Sequence, residues 1–311
     1  MTVGQAASTE PEHGPNPRSG APYRLLALFD RPVTPCQRLR WTGTEGRFAP
    51  VEEPGQTAIA DSWLVADGQV RGFTAHTRRF SASCAELFGV EATRTREFMQ
   101  AVCSRLPARG RWFPRVELVL AAGTPQFQLW VRPAPPRGRA VRLWLPEGPD
   151  LRTRPRTKGP DLEWLAWQHA AAQAAGADEA VLLTRSGRVL EGATTSILWW
   201  HGDELCAPPE DAGVLPGVTR LILLDLAAFI GAPITFRCPE PAELAGREVW
   251  AVNALHGIRP VTGWVGVDIE PGPVLRAGRW QRYLDEFAVP IRNEGSAEPA
   301  IADSAIPAPS A

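Results

Sequence analysis

Residues 158–200 read KGPDLEWLAWQHAAAQAAGADEAVLLTRSGRVLEGATTSILWW. A proline suited to the first helical turn opens a stretch that runs from about Pro160 to a glycine stop at Gly176. The apolar run "EAVLLT" then reads as a strand, "RSGR" as a turn, and "VLEGA" and "TSILWW" as two more strands. One helix followed by a meander of strands is not the strict strand–helix alternation of a doubly wound sheet. The pattern predicts an α+β fold.

Working outward, the same two patterns recur. Toward the N-terminus, Asp67-Gly68 between "SWLV" and "QVRGF" predicts a tight hairpin. "TAHTRRFSASCAELFG" and "TRTREFMQAVCSRL" read as helices, and "RVELVLAA" and "FQLWVRP" as a strand pair. "YRLLALF", from Tyr23, reads as a further strand. Toward the C-terminus, "VRLWLP" and "EVWAVN" read as strands, and "LILLDLAAFIG" and "RAGRWQRYLDEF" as helices. The expected organisation is a disordered tail over 1–21, an N-terminal region over 22–132, a proline-rich linker over 133–140, a second region over 141–292 and a disordered tail over 293–311.

Composition excludes several functions. The net charge of −1 argues against a nucleic-acid binder. Five scattered cysteines without a Cys-x-x-Cys pair predict reduced thiols in a cytoplasm, with no metal site. The N-terminus lacks the apolar core of a signal peptide, and no run is long enough for a membrane span. There is no Gly-x-Ser-x-Gly elbow for a serine hydrolase.

Lys158 is the only lysine among the 33 basic residues; the rest are arginine. An arginine-rich composition can leave one lysine by chance. But only lysine can shed its proton and attack a carbonyl to form a Schiff base, and Arg152, Arg154 and Arg156 beside it are candidates to lower its pKa. Three further stretches carry chemistry. Glu191, leaving a strand, is either a solvated turn acid or an acceptor for a protonated ring nitrogen. Gly217, Val218 and Thr219 stand where a helix begins, a natural anion site or simply a capped helix start. His76 and Arg79 share a helix face, and the arginine is suited to a phosphate. An amine, a carboxylate, an arginine and a helix start are together the parts that hold pyridoxal phosphate.

From Lys158 onward the chain resembles the class IV (fold type IV) pyridoxal-phosphate enzymes. These include branched-chain and D-amino-acid aminotransferases, (R)-selective amine transaminases and aminodeoxychorismate lyase. The resemblance rests on Lys158, "GADEAVLL", "SGRVLEGATTS", "LPGVTR", "WAVNALHGIRPV" and, upstream, "HTRRF", all in family order. It implies a small N-terminal α/β domain and a larger C-terminal pseudo-barrel domain in a homodimer. It implies that Lys158 binds the cofactor aldehyde and moves the substrate α-proton, and that Glu191 binds the pyridine nitrogen. Arg79, the Gly217–Thr219 turn with its Val218 and Thr219 donors, and Ala254 with Leu255 would hold the phosphate.

The chain departs from the family after "TTS", where Ile197 follows without the usual asparagine. "IADSWLVADG" stands for the usual Tyr-Gly-Asp-Gly stretch, Glu163 stands five residues after the lysine, and Asp161 replaces an asparagine of lyase-like members. The activity implied is amino transfer between an amino acid or amine and a keto acid. The alternative is elimination of pyruvate from aminodeoxychorismate, to which "NALHGIRPV" leans. A remote alternative is a non-catalytic cofactor-binding or partner protein. The tryptophans of "EWLAWQ" and "ILWW" are read as core or interface.

Overall fold

The computed structural model describes residues 37–43, 47–51 and 55–291. The two tails and the "YRLLALF" strand lie outside the described residues, all of which fall in one compact unit.

The first layer is a five-stranded sheet. Its strands are β1 (Gln37–Trp41), β2 (Phe48–Pro50), β3 (Gln56–Ser62), β7 (Arg115–Ala121) and β8 (Thr124–Val131), in the order β2-β1-β8-β7-β3. Two helices cover one face, α1 (Phe73–Phe88) and α2 (Ala92–Arg105). Helical spacing puts Phe73, His76, Phe80 and Cys84 of α1, and Phe98, Met99 and Val102 of α2, on their buried sides. Phe98 stacks on Phe127 of β8 with ring centres 4.6 Å apart, and Trp41 and Phe80 close around the pair. Gly89, in the left-handed conformation, stops α1 where the sequence predicts.

A small four-stranded sheet sits beside this layer, with β4 (Val65–Ala66), β5 (Gln69–Arg71), β6 (Arg111–Trp112) and β17 (Ala288–Pro290) in the order β17-β5-β4-β6. Asp67 and Gly68 both have positive φ, 49° and 75°, which makes the expected hairpin a primed turn. β17 comes from the far end of the chain. It pairs with β5, and Ile291 joins the same core as Trp63 and Phe73.

The larger sheet has eight strands in the order β11-β10-β9-β16-β15-β12-β13-β14. They are β9 (Val141–Trp144), β10 (Glu179–Leu183), β11 (Val189–Gly192), β12 (Ser196–His201), β13 (Glu204–Ala207), β14 (Ile234–Phe236), β15 (Val249–Asn253) and β16 (Gly257–Val265). Most neighbours are antiparallel. Three pairs are parallel: β9 with β10, connected through α3 (Leu162–Ala174), β13 with β14, connected through α4 (Val218–Phe229), and β9 with β16. The helix α5 (Ala277–Glu286) packs Trp280 against Trp200 and Trp250.

The α+β reading of the sequence is the observed class. Differences are local. α3 starts at Leu162 behind Asp161, so Pro160 lies outside its first turn. Trp199 and Trp200 are core, as expected; Trp167 of α3 is 66% exposed and so is not core. β16 is a strand the sequence does not predict: Pro260 cannot donate to a ladder, yet it stands in register with Trp250 of β15, and the pairing with β9 shifts between Val261 and Gly263.

Candidate active site

The segment bearing Lys158 is pinned at both ends. The Asp161 carboxylate accepts from the Thr153 hydroxyl and from the Thr153 and Arg154 N–H groups, closing the loop that contains the lysine. At the other side, the Lys158 carbonyl accepts from Ala60 N–H at 2.7 Å, along the free edge of β3. Any residue but glycine after the lysine would put its Cβ 2.1 Å from the Ala58 carbonyl oxygen. Glycine at 159 therefore lets the segment lie against β3.

Lys158 is half-buried, and its pKa falls from 10.5 to about 8. Desolvation is the main cause. Asp61 opposes it, while Arg79, Arg115 and Arg132 reinforce it. The sequence-adjacent arginines expected to do this are engaged elsewhere: Arg152 binds Asp150 and Glu191, Arg156 binds Glu210, and Arg154 is exposed. The effective cations come from α1, β7 and the end of β8.

Arg79 and His76 share the face of α1, as spacing predicts, and both meet Asp61 of β3. Arg79 forks onto this carboxylate with contacts of 2.7–3.0 Å, and His76 Nδ1 lies 3.0 Å from it. The two basic partners hold Asp61 well below the usual carboxylate range despite its burial. The remaining arm of Arg79 donates to the Pro216 carbonyl at 2.9 Å. That carbonyl immediately precedes Gly217, so α1 delivers its arginine to the start of α4.

Gly217 is the N-cap of α4, with extended backbone and no capping side chain. The first intrahelical bond runs from Leu221 N–H to the Gly217 carbonyl. The N–H groups of Val218 and Thr219 therefore have no helical acceptor. A Cβ at Gly217 would sit 2.6 Å from the Ser196 hydroxyl, and one at Gly72 would sit 2.6 Å from a Val218 methyl. The two glycines let the starts of α1, α4 and β12 come together. Thr219 is buried at the same place.

Glu191 is no solvated turn acid. It is 3% exposed, and its Oε1 accepts from Arg152 Nη1 at 2.7 Å and from Leu215 N–H at 2.9 Å. Burial pushes its pKa up to about 7, against the pull of Arg152 and the Leu215 amide. Leu215 lies two residues before Gly217, so the glutamate and the α4 start share one loop.

Ala254 and Leu255 form the turn after β15. Asn253 ties this turn to the Glu191 loop: its Nδ2 donates to the Thr194 carbonyl at 3.3 Å and its Oδ1 accepts from His256 N–H at 2.8 Å. Ala254 packs against the core of the five-stranded layer. Thus Lys158, Arg79 and the Gly217–Thr219 turn are linked through Asp61 and Pro216. Glu191 is linked through Leu215, and Ala254–Leu255 through Asn253. Sequence reasoning missed Asp61, the Arg152–Glu191 contact, Ser196 and Asn253. For Asp61 the one signal was its place in "IADSWLVADG".

Pyridoxal phosphate needs an amine, donors for a dianion, and an anionic partner for its ring nitrogen. The residues present fit it: a lysine of lowered pKa, unpaired amides at a helix start beside a fixed arginine, and a buried carboxylate with one oxygen engaged. Among the described residues no group of three or more His, Cys, Asp or Glu is gathered for a metal, and no helix is long and apolar enough to cross a membrane.

Comparison with known proteins gives three findings. Residues 58–264 match the family Amino-transferase class IV. A curated relative, aminodeoxychorismate lyase of Bacillus subtilis, is 35% identical over 85 residues; the match spans 27% of this chain and 29% of the relative's length. Among solved structures, a branched-chain aminotransferase from Thermoproteus uzoniensis with norvaline superposes at TM-score 0.68 with 16% identity, covering 83% of this chain and 100% of that one. A fold-IV transaminase from Curtobacterium pusillum superposes at 0.66 with 19% identity, covering 81% and 98%. The fold is shared with these structures, and the family match runs from β3 through almost all of β16 and takes in Asp61, Lys158, Glu191 and the start of α4. This chain belongs to the class IV aminotransferases, a family of pyridoxal-phosphate-dependent enzymes.

Proposed function

We propose that this chain transfers an amino group between an amino acid or amine and a keto acid, with Lys158 as its catalytic amine. The observation that carries the reading is the state of the sole lysine. It lies against β3 with a pKa of about 8, in the field of Arg79, which is itself bonded to the carbonyl preceding the α4 start. Bound pyridoxal phosphate supplies an aldehyde for an amine and an electron sink for the carbanion left when a substrate α-proton departs.

The chain's own residues do the rest. Lys158 provides a free amine near neutral pH and afterwards carries the proton between the substrate α-carbon and the cofactor carbon. Glu191 Oε2 holds the ring-nitrogen proton. The Val218 and Thr219 amides, the Thr219 hydroxyl and the Arg79 guanidinium bind the phosphate at the positive end of α4. Gly217 admits the phosphate by carrying no side chain, and Ala254 and Leu255 supply a second turn of backbone donors. We also infer a homodimer working in the cytoplasm, with a small N-terminal domain over 22–132 and a larger one over 141–292.

A second reading, elimination of pyruvate from aminodeoxychorismate, is supported by the 35% identity to the Bacillus subtilis lyase. Both readings use the same proton abstraction and differ in the fate of the carbanion. The test is a spectral titration of the protein purified with pyridoxal phosphate. Conversion of the bound cofactor to its amine form by an L- or D-amino acid, reversed by a keto acid, supports transfer. Pyruvate release from aminodeoxychorismate without that conversion supports the lyase. Unchanged cofactor binding and spectrum in Lys158→Arg refutes both.

A further inference from the structure

Arg152 is the side chain with the most partners around the site, yet neither reading above gives it work. It is 4% exposed, and all five of its N–H groups have acceptors. Nε and Nη2 fork onto Asp150 at 2.7–3.0 Å, and Nη2 also reaches the Gly213 carbonyl at 3.3 Å. Nη1 donates to Glu191 Oε1 at 2.7 Å and reaches the Pro155 carbonyl at 3.3 Å. One guanidinium thus joins the lysine segment, the β11 glutamate and the loop that leads into α4. A lysine has three donors on one atom and cannot span these directions.

Its effect on Glu191 is specific. Arg152 and the Leu215 amide both bind Oε1. Oε2 accepts no hydrogen bond from the described residues. We propose that Arg152 is the positioning residue for Glu191: backed by Asp150, it fixes Oε1 together with the Leu215 amide and leaves Oε2 as the single acceptor for the cofactor's ring nitrogen. The charged groups facing Glu191 are Arg152 and Asp150 from the lysine segment and Arg220 from α4. Arg220 is directed to the Pro208 carbonyl and toward Glu210, so its charge acts at a distance and Arg152 alone makes contact. Removing the Arg152 charge makes the deprotonated state of the Glu191–nitrogen pair less favourable, so the proton is held to higher pH.

This inference rests on the cofactor reading, and its test separates the two. The dissociation constant of pyridoxal phosphate is measured for wild type, Arg152→Gln, Glu191→Gln and the double variant. The pH midpoint of the bound cofactor's visible absorbance is measured alongside. The expected result is a loss of about tenfold in affinity on Arg152→Gln when Glu191 is present, and less than about twofold when it is not. The midpoint rises by about one pH unit in Arg152→Gln. Arg152→Lys restores the charge and returns the midpoint toward wild type without restoring affinity; if Arg152→Gln does not fold, this variant in both backgrounds carries the cycle. Equal losses in both backgrounds with a fixed midpoint mean that Arg152 is merely structural, and overturn the inference alone. A wild-type chain that takes up no cofactor overturns the functional reading and this one with it.

Discussion

The proton affinity of Lys158 can be measured without any cofactor, because an amine reagent finds one side chain to modify. With a pKa of about 8, Lys158 is free amine in about one molecule in ten at pH 7; at the ordinary 10.5 the figure is about three in ten thousand. The structure therefore predicts a free-amine fraction about 300-fold above that of an exposed lysine at neutral pH, and a smaller gain in reactivity, because an amine of lower pKa is the weaker nucleophile and Lys158 is half-buried. The assay is a short acetylation pulse at a series of pH values, read by peptide mass spectrometry so that Lys158 and the α-amino group are scored separately. Labelling should climb about tenfold per unit below pH 8 and level off above it. Asp61 raises the pKa and Arg115 lowers it. Asp61→Asn should therefore move the midpoint down, with Arg79 losing its counter-ion in the same step, and Arg115→Gln should move it up. A wild-type midpoint near 10.5, or an upward shift in Asp61→Asn, refutes the assignment of causes and the picture of a primed amine.

Other consequences follow from the same geometry. Gly159→Ala drives a methyl into the Ala58 carbonyl, so it should destabilise the chain by on the order of 2 kcal/mol or more in thermal melts and abolish Lys158 labelling selectivity. The Glu191 pKa is raised from 4.5 to about 7, so its contribution to apo-protein stability is full below pH 4.5 and is lost as pH rises through 7; Glu191→Gln should lack that part of the slope in melts run across the window. Thr219→Val should weaken pyridoxal phosphate binding by about tenfold with little change in Tm, measured by equilibrium titration. Phe98→Ala removes the ring stacked on Phe127 and should lower stability by about 3–5 kcal/mol in denaturant unfolding, without moving the Lys158 midpoint.

What the sequence disclosed depended on how local the cause was. α1 and α2, the Asp67-Gly68 hairpin and the β7–β8 pair each carry their own signal, in apolar spacing or turn residues, and each was legible. β16 was hidden because Pro260, which cannot donate to a ladder, speaks against a strand. β17 was hidden because three residues without a pattern become a strand only by finding β5. The site divides the same way. Lys158, Arg79, Glu191 and the Gly217 turn were legible as residue types. Their partners were not, since Asp61 meets Arg79 through a sheet edge and Arg152 turns away from the lysine beside it toward Glu191. Adjacency in sequence proved a poor guide to adjacency of charge in this segment.

The return of β17 to β5 has a consequence for biosynthesis. Ile291 donates its N–H to the Gly68 carbonyl and joins the core cluster of Trp63, so the first-made half of the chain lacks a strand and a core residue until residue 291 has been made. On the ribosome, the hairpin edge at β5 and the apolar face below it stay open throughout synthesis of the large sheet. Synthesis of β17 and Ile291, not of the N-terminal helices, is then the event that closes this edge of the nascent chain.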